Sequence, residues 1–95
     1  MEEKKRENRD LLNEMGYEDL VIFENPDYDA AIVGVSEGRR VIYDFDKMVE
    51  CLVKEDGMSE EDAVEFIEYN TIRALPYFVN SPIIMYPLKW YMFII

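Results

Sequence analysis

Carboxylate side chains are concentrated in one stretch of this chain, between Asp44 and Glu68. The stretch holds ten acidic residues against two lysines. Within it, Glu61, Glu65 and Glu68 are spaced four and three residues apart, so on a helix they form one row with about 5–6 Å between neighbouring Cβ atoms. Such a row presents anionic groups at roughly the intervals of a phosphate backbone, and it can compete for a nucleic-acid-binding groove. The alternative is a helix face that is only solvated.

The predicted partner-binding surface extends this row to its neighbours. Like charges in this register destabilise an isolated helix by only about 0.2–0.5 kcal/mol per pair, but a sequence selected for stability alone more often intersperses lysine. The candidate residues for binding a partner are Asp46, Glu50, Glu61, Asp62, Glu65, Glu68 and Tyr69.

Two pairs of aspartates have the spacing with which a loop can chelate a hard cation. Asp27 and Asp29, and likewise Asp44 and Asp46, are two residues apart. Neither pair is followed by the glycine and the distal glutamate of a calcium-binding loop. Turn stabilisation and helix capping are therefore the favoured roles, and no metal site is predicted.

The sequence contains no recognisable catalytic motif. A phosphate-binding glycine loop, a zinc-ligand spacing and a nucleophile elbow are all missing. Cys51 is the single cysteine, and the chain has no histidine to activate it, so its expected role is that of a small core residue. No acid is isolated in an apolar segment that would raise its pKa. We therefore expect a non-enzymatic protein that needs no cofactor.

The whole chain is strongly acidic, with 21 acidic against 10 basic residues, no histidine and a formal net charge of -11. Because no group with a pKa near neutrality is present, this charge persists across the physiological pH range. Direct binding to nucleic acid or to an anionic bilayer is electrostatically opposed, whereas basic surfaces of other proteins attract the chain. Solubility alone is the simpler explanation of the acidity.

The length of 95 residues and the apolar content of 49% predict a single domain over residues 1–95. One cysteine cannot form an intrachain disulfide, which suggests a reducing compartment. The charged segment Met1–Asp10 does not resemble a signal peptide, and the apolar run Trp90–Ile95 is too short to span a bilayer. We therefore expect a cytoplasmic protein.

The first predicted element is a helix over Glu3–Met15, with Gly16 as its C-cap. Its apolar positions are Leu11, Leu12 and Met15. The next signals are typical of β-structure. A short strand is predicted over residues 20–23, and it stops at the Asn-Pro-Asp turn of residues 25–27.

The clearest strand signal is a β-hairpin over residues 30–43. Its predicted strands are Ala30–Val35 and Arg40–Tyr43, and its turn is Ser36–Arg39. At the other end of the chain, Ile83–Tyr86 and Leu88–Ile95 are predicted strands separated by a proline.

Two helices between these strands carry the acidic stretch. Asp44 is the predicted N-cap of the first helix, which ends near Gly57, and Ser59 is the predicted N-cap of the second, which Pro76 closes. Their buried faces follow from three- and four-residue spacing of apolar side chains. The expected buried positions are Phe45, Met48, Val49, Leu52 and Val53 on the first helix, and Ala63, Val64, Ile67, Thr71 and Ala74 or Leu75 on the second.

Two polar residues lie where the acidic row meets the apolar end of the second helix. If Asn70 shares the inward face with Ile67 and Ala74, it must form a hydrogen bond, for which backbone of an adjoining loop is the expected partner. Arg73 is expected to pair with acids near Tyr69 or with aspartates of the hairpin. A buried polar clamp is favoured over a ligand site.

The element order predicts an α+β fold, in which a small antiparallel or mixed sheet packs against two or three helices. The sheet consists of the hairpin and the C-terminal strands. The last quarter of the chain contains more aromatic side chains than so small a core can bury, so part of this aromatic region is expected to form a dimer interface or a partner surface.

Residues Met58–Tyr77, with the sequence MSEEDAVEFIEYNTIRALPY, resemble a recurring segment of small acidic proteins encoded by bacteriophages and prophages of low-GC Gram-positive bacteria. The resemblance extends back through residues 23–26 and the hairpin, and it covers most of the chain up to Tyr86. Small acidic phage proteins of this kind include inhibitors of host defence nucleases, notably anti-CRISPR proteins, some of which imitate nucleic acid. The resemblance therefore implies an inhibitor, but it identifies neither a target nor functional residues, and Lys89–Ile95 lie outside it.

Two functions from different classes follow. The first is an anti-CRISPR-like phage inhibitor that docks the acidic face of residues 44–68 on a basic, nucleic-acid-binding surface of a host defence protein, such as a CRISPR effector or another nuclease complex. The second is a small structural or assembly protein that forms homodimers or larger oligomers through its aromatic C-terminal region, while its acids only keep it in solution. Neither function involves direct binding to nucleic acid or to a membrane.

Overall fold

The computed structural model describes residues 2–89, and its fold is α+β, as predicted. The helices and strands are α1 (Glu2–Glu14), a 3-10 helix (Asp29–Ala31), β1 (Ile32–Val35), β2 (Val41–Asp44), α2 (Phe45–Asp56), α3 (Glu60–Phe66) and β3 (Ile83–Met85). Between α3 and β3 the helical path continues as a π-helical turn (Ile67–Thr71) and a second 3-10 helix (Ile72–Tyr77). The elements are joined by short connections, except for the 14 residues between α1 and the first 3-10 helix.

The three strands form one mixed sheet in the order β1-β2-β3. β1 and β2 are antiparallel and form the predicted hairpin, except that Ala30 and Ala31, which were predicted to begin its first strand, lie in the 3-10 helix. β3 is parallel to β2. Parallel neighbours cannot be joined by a tight turn, and here α2 and α3 provide the long crossover between them. The hairpin register shifts between Ile32 and Gly34, which leaves Val33 as an extra residue in β1.

The strand predicted over residues 20–23 is wrong. These residues have no regular secondary structure, and a turn occupies residues 24–27. The backbone N–H of Phe23 donates to the hydroxyl of Tyr43 at 3.0 Å instead of to a neighbouring strand. Phe23 is buried, with its ring centroid 4.8 Å from that of Tyr43 and 5.8 Å from that of Tyr28. The apolar side chains of this segment therefore reflect burial in the core rather than membership of the sheet.

α1 begins and ends where the sequence predicts, and Gly16 has a positive φ of 88° just beyond it. Of its predicted apolar face only Leu12 is buried, because Leu11 and Met15 are half or more exposed. Two polar side chains of α1 attach it to the 3-10 helix. Asn8 donates through Nδ2 to the backbone oxygen of Asp29 at 3.0 Å, and Arg9 binds the carboxylate of the same residue.

α2 has the predicted caps and the predicted buried face. The carboxylate of Asp44 accepts a hydrogen bond from the backbone N–H of Lys47 at 3.1 Å, and Gly57 ends the helix with a φ of 71°. Cys51 is buried, as expected for a small core residue. Four of the five predicted core positions are buried and the fifth, Val53, is half-buried; the buried ones are Phe45, Met48, Val49 and Leu52.

α3 starts at the predicted N-cap, where the hydroxyl of Ser59 accepts the backbone N–H of Asp62 at 3.1 Å. The prediction of one continuous helix to Pro76 is only partly right, because the π-helical turn and the 3-10 helix replace its second half. A π-helical turn contains more residues than an α-turn, which changes the faces on which later residues lie. Ala63, Ile67 and Thr71 are buried, and the other predicted core positions of this segment are half-buried.

The C-terminal strand prediction is confirmed in its first part, since β3 occupies Ile83–Met85. The second predicted strand began at Leu88, but Leu88 and Lys89 are not in a strand, and residues 90–95 lie outside the described part of the chain.

Tyr43→Phe is expected to destabilise the protein by about 1–3 kcal/mol, because it leaves the buried N–H of Phe23 without an acceptor. Burial also raises the pKa of Tyr43. The tyrosine therefore contributes stability that is complete below the pKa of the unfolded chain, about 10, and is lost as the pH rises through its folded pKa. When the pH is raised from neutral to above about 10, urea unfolding should show a smaller loss of stability in Y43F than in the wild type.

Tyr86→Phe is the matched control for this prediction, because Tyr86 is exposed and the same hydroxyl group is removed. We expect the unfolding free energy of Y86F at neutral pH to match that of the wild type. Equal stabilities of Y43F and Y86F at neutral pH would contradict the assigned hydrogen bond.

Candidate partner-binding surface

The outward face of α3 and of the π-helical turn that continues it carries four exposed carboxylates. The buried side chains of Ala63 and Ile67 fix the inward face of this helix, so that Glu61, Asp62, Glu65 and Glu68 lie in solvent. Among residues 8–89, whose side chains the structure describes, no ion pair involves any of these four carboxylates. We call this set the α3 acidic face. Its charge is available to a partner.

Nearby sequence adds to this imbalance. Residues 55–72 contain seven acids and no lysine or arginine. Three of the acids lie in the first turn of α3, where the positive end of the helix dipole stabilises them. The helix dipole therefore offsets part of the repulsion among these charges.

Tyr69 borders the α3 acidic face. Together with Asp62 and Glu65 it lines a shallow depression. The other residues that line this depression are Met58, Phe66 and Asn70. The Tyr69 side chain is 60% exposed, and the guanidinium carbon of Arg73 lies 5.3 Å from the centroid of its ring. This distance is within the range of a cation–π contact, which holds the ring in place at the end of the acidic row.

Asp46 and Glu50 lie apart from these residues, on the rim of a groove between α2 and α3. The floor of this α2–α3 groove is apolar and includes Val49, Val53 and Val64. Asp46 forms an ion pair with Lys89, at 3.1 Å between Oδ2 and Nζ, whereas Glu50 is exposed. The structure thus divides the seven predicted partner-binding residues into an α3 set of five and a groove-rim set of two.

The predicted buried clamp of Asn70 and Arg73 is wrong. Both residues are exposed, and Asn70 donates through Nδ2 to the backbone oxygen of Phe66, one turn earlier, at 3.0 Å. Thr71 lies inward instead, as its helical spacing predicts. Its hydroxyl forms a hydrogen bond of 3.2 Å with the hydroxyl of Tyr28 in the core. Thr71 therefore makes the buried hydrogen bond that was predicted for Asn70.

The main polar link of the interior joins Arg9 to Asp29. Nε and Nη2 of the arginine donate to the two carboxylate oxygens at 2.8 and 3.1 Å, and the Asp29 side chain is only 6% exposed. Burial raises the pKa of Asp29, although the hydrogen bond from Arg9 opposes this effect. No local sequence pattern relates two residues that are 20 positions apart, so this pair could not be foreseen.

The aspartate pairs that were weighed as cation ligands have structural roles. Asp27 accepts the backbone N–H of Asp29 at 2.9 Å through Oδ1, as in an Asx turn, and Asp44 caps α2. Within residues 8–89, no group of three or more histidine, cysteine, aspartate or glutamate side chains is arranged to hold a metal ion.

Asp29 is the buried carboxyl that comes nearest to a catalytic acid, because its pKa is raised. Both of its oxygens are engaged by Arg9, however, and almost none of its surface is accessible. This geometry favours a role in stability for Asp29.

None of the helices between residues 2 and 89 has the length and apolar character to cross a membrane. Comparison of the chain with protein families, curated proteins and solved structures finds no match.

Proposed function

We propose that this protein is a phage-type inhibitor that binds, through the α3 acidic face, a basic nucleic-acid-binding surface of a host defence protein in the bacterial cytoplasm. A CRISPR effector or another nuclease complex is the proposed class of target. The protein acts by occupying the surface rather than by catalysis.

The observation that carries this proposal is the unpaired state of the α3 acidic face. Three aspartates elsewhere in the chain already form an ion pair with a basic side chain. The pairs are Asp19 with Arg39, at 3.2 Å, Asp29 with Arg9, and Asp46 with Lys89. The four carboxylates of the α3 acidic face, in contrast, are exposed, and the described structure shows no cation within ion-pair distance of them. Charges left in this state are suited to an external cationic surface.

Spacing and aromatic character support the choice of a nucleic-acid-binding groove. Neighbouring carboxylates of the row are about 5–6 Å apart at Cβ, and lysine or arginine side chains that bind phosphates can bind carboxylates as well. Tyr69 adds an exposed ring beside the charges. Tyrosine is enriched at the centres of protein interfaces, where it contributes more to affinity than rim charges do.

The net charge of the chain supports rapid association with such a target. A net charge of -11 produces a long-range field that steers the protein toward basic surfaces and away from nucleic acid itself. The resemblance of residues 58–77 to acidic phage proteins favours an inhibitor over a host enzyme subunit.

An assembly protein that oligomerises through its C-terminal region is the second candidate. The observation in its favour is a group of exposed large apolar side chains in and after the second 3-10 helix, namely Tyr77, Val79, Tyr86 and Leu88. Light scattering over a wide concentration range separates the two functions. A strict monomer counts against the assembly protein, and a stable dimer that persists in moderate salt counts in its favour.

Capture from a lysate of a low-GC Gram-positive bacterium tests the proposed function. Immobilised wild-type protein is expected to retain nucleic-acid-binding proteins at roughly 0.05 M salt and to release most of them at roughly 0.3 M, because exposed charge pairs are screened over this range. The charge-reversed variant E61K/E65K/E68K should retain few of them. Retention of the same proteins by both baits would contradict the proposal.

A further inference from the structure

The shallow depression that Tyr69 lines combines apolar, aromatic and acidic surface. Met58 and Phe66 are half-buried and supply its apolar part, and the exposed ring of Tyr69 borders them. Asp62 and Glu65 line the same depression. Because these two acids are three positions apart on a helical path, their Cβ atoms are about 5–6 Å from each other. A ligand in the depression therefore contacts an aromatic ring and two carboxylates together.

The polar side chains of the depression are open to a hydrogen-bond donor. The carboxylates of Asp62 and Glu65 form no ion pair among residues 8–89. Asn70 donates through Nδ2 to the backbone oxygen of Phe66, and within the same residues its side-chain oxygen accepts no hydrogen bond. Two carboxylates and one amide oxygen are thus available as acceptors, which favours a cation with several N–H donors.

The ring of Tyr69 already has one guanidinium beside it. The guanidinium carbon of Arg73 lies 5.3 Å from the ring centroid, but Arg73 does not line the depression. This contact therefore leaves the part of the ring that lines the depression accessible, in agreement with the 60% exposure of Tyr69. The charge of Arg73 opposes a second cation, but the two carboxylates of the depression outnumber it.

We propose that this depression binds an arginine side chain of the partner in preference to a lysine. A guanidinium is planar and carries five N–H donors, so it can stack on a ring and donate to more than one acceptor at the same time. An ammonium is a compact, strongly hydrated charge and gains less from an aromatic ring and an apolar surface. The methylene groups of an arginine can also cover Met58 and Phe66. The inference rests on the proposed function for the identity of the partner, and it adds the residue type that the partner must present.

Two peptides that differ in one residue test this preference without any host protein. The probes are acetyl-Gly-Arg-Gly-amide and acetyl-Gly-Lys-Gly-amide, which carry the same charge and so separate guanidinium recognition from general attraction to an acidic protein. In NMR titrations we expect the arginine peptide to shift the amide resonances of Phe66, Tyr69 and Asn70, with a dissociation constant on the order of 10 mM. The lysine peptide should bind at least about threefold more weakly.

Single substitutions locate the bound arginine. Y69L removes the ring and E65Q removes one charge of the depression, and each should weaken binding of the arginine peptide by about threefold or more. Y77L and E68Q are the matched controls, because they make the same substitutions at an exposed tyrosine and an exposed glutamate that do not line the depression. Both controls should keep the wild-type preference for arginine. The dispersion of the amide resonances confirms that each variant is folded.

Equal affinity for the two peptides, or an arginine preference that persists in both Y69L and E65Q, would overturn the inference. The proposed function would survive either result if E61K/E65K/E68K still lost its partner. An arginine preference that disappears in Y69L and persists in Y77L supports the inference. That support holds even if capture from a lysate retains no nucleic-acid-binding protein, a result that would contradict the proposed function alone.

Discussion

Replacing Arg9 by methionine is expected to lower the free energy of unfolding by roughly 3 kcal/mol at neutral pH, the largest stability loss that the structure predicts for a single polar residue. The substitution retains the aliphatic packing of the side chain but leaves the carboxylate of Asp29 buried without its two hydrogen bonds. Because Arg9 is 36% exposed, water is expected to reach part of the site, which places the loss at the lower end of the range for buried ion pairs.

The pH dependence of this variant has a definite sign. Burial already raises the pKa of Asp29, and removal of Arg9 removes the hydrogen bond that lowers it. A carboxyl whose folded pKa exceeds its unfolded value stabilises the fold when protonated, and this stability is lost as the pH rises through the folded pKa. The R9M variant should therefore recover stability relative to the wild type as the pH falls from neutral toward the unfolded pKa of aspartate, about 4.

The double variant R9M/D29N is the control, because it has no carboxylate to protonate. Urea unfolding at several pH values should give it a smaller loss than R9M at neutral pH and no recovery in acid. If R9M were as stable as the wild type at every pH, the ion pair would not hold α1 to the 3-10 helix.

Reversing the charge of the α3 acidic face is expected to abolish most of the affinity for the partner. In E61K/E65K/E68K, three attractive contacts with a basic surface become repulsive. Such changes at an interface rim sum to roughly 3 kcal/mol, or about two orders of magnitude in affinity at low salt. The fold should persist, because all three glutamates are exposed.

E14K/E18K/E37K is the matched control for this variant. It changes the net charge by the same amount, but its glutamates lie on α1, in the loop after it and in the hairpin turn, and all three are exposed. Binding measured by calorimetry should fall only modestly, by the loss of long-range attraction. An equal loss of affinity in both variants would mean that total charge, rather than the α3 acidic face, determines binding.

Local signals made much of the fold predictable. The N-caps Asp44 and Ser59 depend on a side chain and a backbone N–H three residues apart, which the sequence displays directly. Neighbouring residues also signal the glycines that follow α1 and α2 and the hairpin of residues 30–43. Helical spacing also predicts that Glu61, Glu65 and Glu68 form one row.

Contacts between distant residues could not be predicted in this way. The segment 20–23 has strand-like composition, but Phe23 bonds to a tyrosine hydroxyl 20 residues away. The parallel pairing of β3 with β2 depends on the crossover through α2 and α3. The π-helical turn that contains the exposed Asn70 has no local signal in the sequence either.

The same limit applies to the candidate surface. Sequence spacing placed Glu61, Glu65 and Glu68 in one row, but it did not separate Asp46 and Glu50 from them. That separation results from the groove between α2 and α3 and from the ion pair of Asp46 with Lys89, which comes from the far end of the chain.

Displacement of nucleic acid tests the central claim most directly. A partner identified by capture is loaded with a fluorescently labelled oligonucleotide and titrated with the purified protein at low salt. We predict that the wild type and E14K/E18K/E37K release the oligonucleotide as they bind, and that E61K/E65K/E68K does not. A ternary complex, in which the wild-type protein binds while the oligonucleotide remains in place, would contradict the proposal that the α3 acidic face occupies a nucleic-acid-binding surface.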